Sequence, residues 1–267
     1  MAVAAVLVVV LAAGAVLYAN QRALIYYPPD RDPGSAADAY PTGVDVVLRT
    51  ADGLKLKAWF VKPTGKPNGA AVLHAHGNSG PRRHLASVAG LADLGYSILQ
   101  LEYRGYGKNP GSPSEEGLLL DAQAGAAWLR DQGFAPSKTI YYGASLGTGV
   151  VAGLATTDPP AAILLRSPFT SLADVADTHL PPVPLGLIIT DRFDTFSRLP
   201  RLAVPITVLC GDADSVVPVE QSRAVADHAR TLFRFEELPG VGHNDRVWNG
   251  KYVTAQIDDL YRQAVKR

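Results

Sequence analysis

The sequence predicts an α/β protein: a mostly parallel central sheet with helices on both faces, preceded by an apolar N-terminal helix. Three observations predict it. From residue 69 onward, short apolar runs alternate with longer stretches suited to helices, the rhythm of β-α repeats. Residues 70–73 and 161–165 are uninterrupted apolar runs, as in strands buried on both faces of a covered sheet. Gly143-Ala144-Ser145-Leu146-Gly147 follows the β-branched and aromatic run Thr139-Ile140-Tyr141-Tyr142 and precedes a small, apolar stretch to residue 155, a strand-turn-helix junction.

Residues 1–19 contain no charged side chain and are dominated by Val, Leu and Ala. About twenty such residues span a bilayer as a helix, so this segment reads as a retained single-pass membrane anchor. A cleaved signal peptide is the competing reading, with Ala13-Gly14-Ala15 as a small-residue site; the absence of Lys or Arg before the apolar run weighs against it. Tyr18, Tyr26 and Tyr27 suit a membrane interface. Arg22 and Arg31 follow the span and favour a cytoplasmic domain, but two charges leave the side open. Residues 20–43, with Pro, Asp and Gly over 28–43, read as a connecting segment.

The domain proper is expected over 44–267. Residues 44–48 and 54–61 read as a hairpin with Asp52-Gly53 at the turn. Further strands are expected near 69–75, 96–102, 138–143, 161–166, 204–210 and 232–237, with helices near 81–93, 114–131, 146–156, 218–229 and 248–265. Residues 168–200 interrupt the alternation with Pro168, Pro181, Pro182, Pro184 and the apolar run Leu185-Gly186-Leu187-Ile188-Ile189. They read as a short cap over the site.

With 267 residues the chain is long enough for a full core. Lys+Arg and Asp+Glu are both 25, which gives no reason to expect nucleic acid as a partner. The single cysteine, Cys210, lies in an apolar run and reads as a buried structural thiol.

The chemistry begins at Ser145. A G-x-S-x-G between strand and helix forms a sharp turn that lifts the serine hydroxyl clear of the sheet. Its glycines avoid collisions across that turn. A serine hydroxyl needs a base to act as nucleophile, and the base needs an orienting group. Asp212 and Asp214 follow the strand at 204–210, at the end where open sheets place their sites. Asp214 is preferred as the acid, lying farther out in the loop; Asp212 reads as a turn-former. Among the histidines, His243 occupies the glycine-rich loop after the last strand and is the expected base; His84, His179 and His228 read as bystanders. Oxyanion donors are expected from the backbone of Leu146 and of Asn78, with Ser79 as the second choice for the latter. His74 and His76 are a weak metal pair without a third ligand. Arg104 follows a strand and reads as a loop brace in preference to a substrate contact. No metal or organic cofactor is required.

The stretches Leu101-Glu102-Tyr103-Arg104-Gly105-Tyr106-Gly107 and Gly111-Ser112-Pro113-Ser114-Glu115-Glu116-Gly117 resemble the signature of one α/β-hydrolase branch. That branch contains the membrane-anchored alpha/beta-hydrolase domain-containing protein 13, its protein-17 relatives and many bacterial members. The similarity extends to Leu24-Ile25-Tyr26-Tyr27-Pro28, His76-Gly77-Asn78, Ser167-Pro168-Phe169-Thr170-Ser171 and Gly242-His243-Asn244-Asp245, and so covers nearly the whole chain. It implies the α/β-hydrolase fold, the triad Ser145, Asp214 and His243, and hydrolysis of carboxylic esters or thioesters. Some eukaryotic members remove palmitate from proteins. Ser79, where the family often has Ala, and Lys108-Asn109-Pro110 depart from the pattern. The expected substrate is a small or lipid-like acyl compound. An amidase or peptidase using the same residues is the alternative, and an idle hydrolase fold serving as a scaffold is the reading from another class.

Overall fold

The computed structural model describes residues 2–29, 32–78, 90–179 and 188–266; the side chains of residues 2–11 and 13 lie outside that description. Its strands are β1 (Gly43–Arg49), β2 (Lys55–Val61), β3 (Ala71–Ala75), β4 (Ser97–Gln100), β5 (Thr139–Ala144), β6 (Ala162–Arg166), β7 (Ile206–Gly211) and β8 (Leu232–Leu238). They form one sheet in the order β1-β2-β4-β3-β5-β6-β7-β8. β1 and β2 make an antiparallel hairpin, and β2 pairs antiparallel with β4. Every pairing from β4 across to β8 is parallel. Every strand expected from the sequence is present, with ends moved by a few residues.

Helices cover both faces. In chain order they are α1 (Ala2–Ile25), α2 (Ala36–Ala39), α3 (Gly90–Asp93), α4 (Glu115–Asp131), α5 (Leu146–Ala155), α6 (Leu172–His179), α7 (Thr195–Arg198), α8 (Val219–His228) and α9 (Lys251–Ala264). The two-residue period of a strand divides the sheet's side chains between two cores. Leu73, Tyr141, Leu165 and Val208 pack with Leu118 of α4, Val150 and Val151 of α5 and Val225 of α8. Their sequence neighbours Val72, Ile140, Leu164 and Leu209 pack on the opposite face with Val253, Ile257 and Leu260 of α9. Strands buried on both faces require the continuous apolar runs seen in the sequence.

α4 starts where Ser114 accepts a hydrogen bond from the Gly117 amide, an N-cap that satisfies one of the helix's unpaired donors. α5 starts with no such side-chain cap. That leaves its first amides available to the space above the sheet.

The N-terminal region differs from expectation. Among the described residues, no helix is long and apolar enough to cross a membrane. The uncharged run instead begins a single helix that continues past residue 19 to Ile25, through part of the expected connecting segment. Its C-terminal end packs on the domain. Tyr26, expected at a membrane interface, is 4% exposed and donates its hydroxyl to Asp191 at 2.9 Å. A buried tyrosine with a carboxylate partner is a packing contact, which the sequence could not show because Asp191 is remote in the chain. Within the expected loop, Ser35 caps α2 and Asp38 bonds back to the Ser35 amide. The cap region contains α6 and α7; residues 180–187, and with them most of the expected apolar run, lie outside the described residues. So do Ser79, His84 and most of the helix expected over 81–93.

Candidate active site

Ser145 sits between β5 and α5 at φ 52°, ψ −120°. A non-glycine residue held there carries strain on the order of 1–3 kcal/mol, which the surroundings must overcome. The Ser145 amide donates to the Arg166 carbonyl at 2.9 Å, and its carbonyl accepts from the Thr148 amide at 2.8 Å and hydroxyl at 2.6 Å. Both flanking glycines are sterically required. A Cβ on Gly143 would lie 2.5 Å from the Gly147 carbonyl oxygen, and one on Gly147 would lie 2.0 Å from the Ala75 carbonyl oxygen.

The loop after β3 passes directly over the serine. A Cβ on Gly77 would stand 3.3 Å from Ser145 Cβ and 3.9 Å from its Oγ. This brings His76-Gly77-Asn78 and the first amide of α5, that of Leu146, to the same place on the sheet edge. The Asn78 side chain donates to the Ile25 carbonyl at 2.6 Å. It thereby caps the C-terminal end of α1, where backbone carbonyls have no partner within the helix.

His243 and Asp214 come from the loops after β8 and β7. His243 Nδ1 and Asp214 Oδ2 are 2.7 Å apart, and the two side chains are 9% and 1% exposed. Burial opposes ionisation of Asp214, but the hydrogen bond to His243 and those from the Val217 and Val216 amides outweigh it and hold the carboxyl below its ordinary value. Both amides donate to Oδ1, at 2.8 and 2.9 Å. Asp212 is occupied elsewhere, accepting from the Gly240 amide at 2.6 Å.

Arg166 joins the two halves of the site. Its carbonyl receives the Ser145 amide, while its guanidinium donates to the His243 carbonyl at 2.8 Å and lies 5.8 Å from the centre of the Trp248 ring. Sequence reasoning missed it. The available signal was a single cation ending the apolar run Ala162-Ile163-Leu164-Leu165, where an arginine is buried only if it has partners.

A cavity of about 500 Å³ opens at Ser145, within the range of small-molecule sites. Its lining is mainly apolar: Leu17, Leu24 and Ile25 from the N-terminal helix face Phe169, Val175 and Ile189. Leu146, Asn78 and His179 also border it. His179 contacts the Val216 carbonyl through Nε2 at 3.0 Å. His228 stacks on Phe196.

No protein-family model matches the chain. Relatives do. The chain is 42% identical over 243 residues to the uncharacterized protein Rv2307c of Mycobacterium tuberculosis, covering 90% of this chain and 86% of the relative. It is 28% identical over 271 residues to the alpha/beta hydrolase domain-containing protein WAV2 of Arabidopsis thaliana, covering 92% and 88%. Among solved structures, the Pyrococcus furiosus esterase Pf2001 superposes with a TM-score of 0.71 at 20% identity, covering 90% of this chain and 98% of that one. The chain belongs to the α/β-hydrolase superfamily.

As an α/β hydrolase, the molecule places Ser145, Asp214 and His243 on the loops that follow β5, β7 and β8. Other polar residues singled out in the sequence have packing roles here. Arg104 donates through its amide and Nε to Asp121, both at 2.8 Å, and through Nη1 to Asp52 at 2.7 Å, tying the β1–β2 turn to α4. His74 stacks on Tyr142 with ring centres 4.4 Å apart, and His76 packs against Tyr103 at 4.1 Å. Cys210 is buried, which with nearby Glu237 pushes its thiol up to about 12.

Proposed function

We propose that this α/β hydrolase is a serine hydrolase that cleaves carboxylic esters or thioesters. Ser145 Oγ attacks the acyl carbonyl carbon while His243 takes the hydroxyl proton. The carbonyl electron pair moves onto oxygen, where the Leu146 and Asn78 backbone amides stabilise it. Collapse of this intermediate breaks the bond to the leaving oxygen or sulfur, and His243 delivers the proton to the departing alcohol or thiol. Water then gives a proton to His243 and attacks the acyl-serine, and release of the carboxylic acid returns the proton to Ser145. Asp214, kept ionised by its hydrogen bonds, fixes the imidazole tautomer and offsets its positive charge.

One observation carries the reading. A serine strained at φ 52° opens into an apolar cavity, and a buried His243–Asp214 pair is tied to its backbone through Arg166. The esterase fold of the Pyrococcus protein agrees by analogy. Membrane attachment through residues 1–19 is a separate proposal, supported by their uncharged sequence. Co-sedimentation of the full chain with lipid vesicles tests it, and recovery entirely in the supernatant would count against it.

The test of the reaction is labelling with a fluorophosphonate, followed by mapping of the modified peptide. Wild type should label at Ser145 and hydrolyse a p-nitrophenyl ester. Ser145→Ala should neither label nor turn over above roughly one part in 10⁶ of wild type. Turnover in the variant above about a tenth of wild type would overturn the assignment.

A further inference from the structure

α1 reaches the candidate site by a route that the sequence does not reveal. Leu17, Gln21, Leu24 and Ile25 fall at i, i+4, i+7 and i+8, one stripe of a helix, and all of them line the cavity that opens at Ser145. The stripe extends for about 12 Å at the rise of roughly 1.5 Å per residue.

The helix is fastened there by polar contacts, two of them made by the cavity-lining residues Gln21 and Asn78. Asp191, 4% exposed, accepts from Arg22 Nε at 3.0 Å and Nη2 at 3.3 Å, as well as from the Tyr26 hydroxyl. Gln21 Oε1 accepts from the Thr190 amide at 2.7 Å and hydroxyl at 3.0 Å. Asn78, beside the serine, caps the Ile25 carbonyl. The segment carrying Asp191 is itself held to α4, because Glu115 accepts from the Arg192 and Phe193 amides at 2.7 and 2.8 Å. A helix held by a buried carboxylate and a side-chain amide is fixed in place, and its apolar stripe is left facing the cavity.

We infer that the last two turns of α1 are the acyl-specificity wall of this enzyme. The acyl group esterified to Ser145 lies along the Leu17–Ile25 stripe, which selects medium-length and longer unbranched chains over acetyl. Leu17 marks the far end of the wall, and Arg22 with Asp191 is a positioning pair that acts through the helix. The inference rests on the serine hydrolase reading and names its substrate class.

The experiment uses the full chain and a ladder of p-nitrophenyl esters from acetate through butyrate to octanoate. In wild type, kcat/KM should rise with each methylene, by up to about fourfold, the equivalent of burying one CH₂ at about 0.8 kcal/mol. Leu17→Trp should lower the octanoate-to-acetate ratio of kcat/KM by at least about tenfold, because the added ring fills the end of the groove. Arg22→Ala, whose side chain lies outside the cavity, should flatten the ladder mainly by raising KM for octanoate, with kcat little changed. A general loss of stability would lower all esters together and leave the ratio intact. Ladders that superimpose for wild type and both variants, with hydrolysis still dependent on Ser145, would overturn the inference and leave the hydrolase reading standing. Absence of any Ser145-dependent ester hydrolysis in wild type would overturn both.

Discussion

Asp214 and His243 show how much a single contact carries in this molecule. The carboxylate receives two backbone amides on one oxygen and the imidazole on the other. Replacement by asparagine keeps the shape but offers an amide where the imidazole N–H needs an acceptor, which favours the wrong tautomer. Asp214→Asn should therefore reduce kcat by about 10⁴-fold while the protein stays folded. Steady-state kinetics beside a circular dichroism melt would check this. A loss below tenfold with an unchanged melt would mean that the carboxylate does not orient the base. Both residues are legible as types and positions, each in the loop after a late strand, and the position of Asp214 farther out in its loop favours it over Asp212. The bond between them, across a separation of 29 residues, follows only from β7 and β8 lying side by side. The partners of Arg166 were not legible, because they are a carbonyl and an indole ring from a distant loop.

At the scale of elements, the β5–Ser145–α5 turn is the most tightly constrained. Gly147 lets α5 approach the end of β3 so closely that a methyl group would meet the Ala75 carbonyl oxygen at 2.0 Å. Backbone atoms cannot swing aside, so β3 or α5 must move. Gly147→Ala should destabilise the fold by about 1–3 kcal/mol and displace the 76–78 loop from Ser145. Urea unfolding, with the midpoint lowered and the slope unchanged, would check it. A neutral effect on both midpoint and ester hydrolysis would show that α5 and the end of β3 have room for a methyl group between them. This constraint was legible, since a serine on a strand-turn-helix junction needs small neighbours wherever it occurs. The reach of α1 was not. Its apolar character suggested a span ending at residue 19, whereas the structure extends the helix to Ile25 and seats its end on the domain. Hydropathy marks the apolar run itself, and it does not show how far the helix continues past that run or what its end packs against.

Across the whole molecule, charge pairs fasten elements far apart in sequence. Arg104 links Asp52 in the β1–β2 turn to Asp121 in α4. The hydrogen bond from Arg104, assisted by that from Thr50, holds the Asp52 carboxyl down to about 2, against an ordinary 3.8. A carboxyl depressed by folding adds stability that is fully present above its unfolded value and is lost as pH falls through its folded value. Wild type should therefore exceed Asp52→Asn in melting temperature at neutral pH, with the gap narrowing as pH falls from 3.8 towards 2. The pair is partly exposed, so the gap is modest and shrinks in high salt. A gap that stays constant or widens on acidification would show that Asp52 does not stabilise the fold through its charge.

The sequence by itself determined the layers and the chemistry available. The apolar runs at 70–73 and 161–165, too short for helices and set between turn signals, suit strands covered on both faces, and G-x-S-x-G between strand and helix has few alternatives to an exposed hydroxyl on a strained turn. Those are local consequences of side-chain periodicity and backbone sterics, so they survive without knowledge of the rest of the chain. The tertiary structure decided which distant groups meet: the strand order that sets Asp214 beside His243, the Arg166 link between the two halves of the site, and the Asp191 contacts that turn α1 into a wall of the cavity. Such meetings depend on how elements pack in three dimensions, and no window of neighbouring residues encodes them.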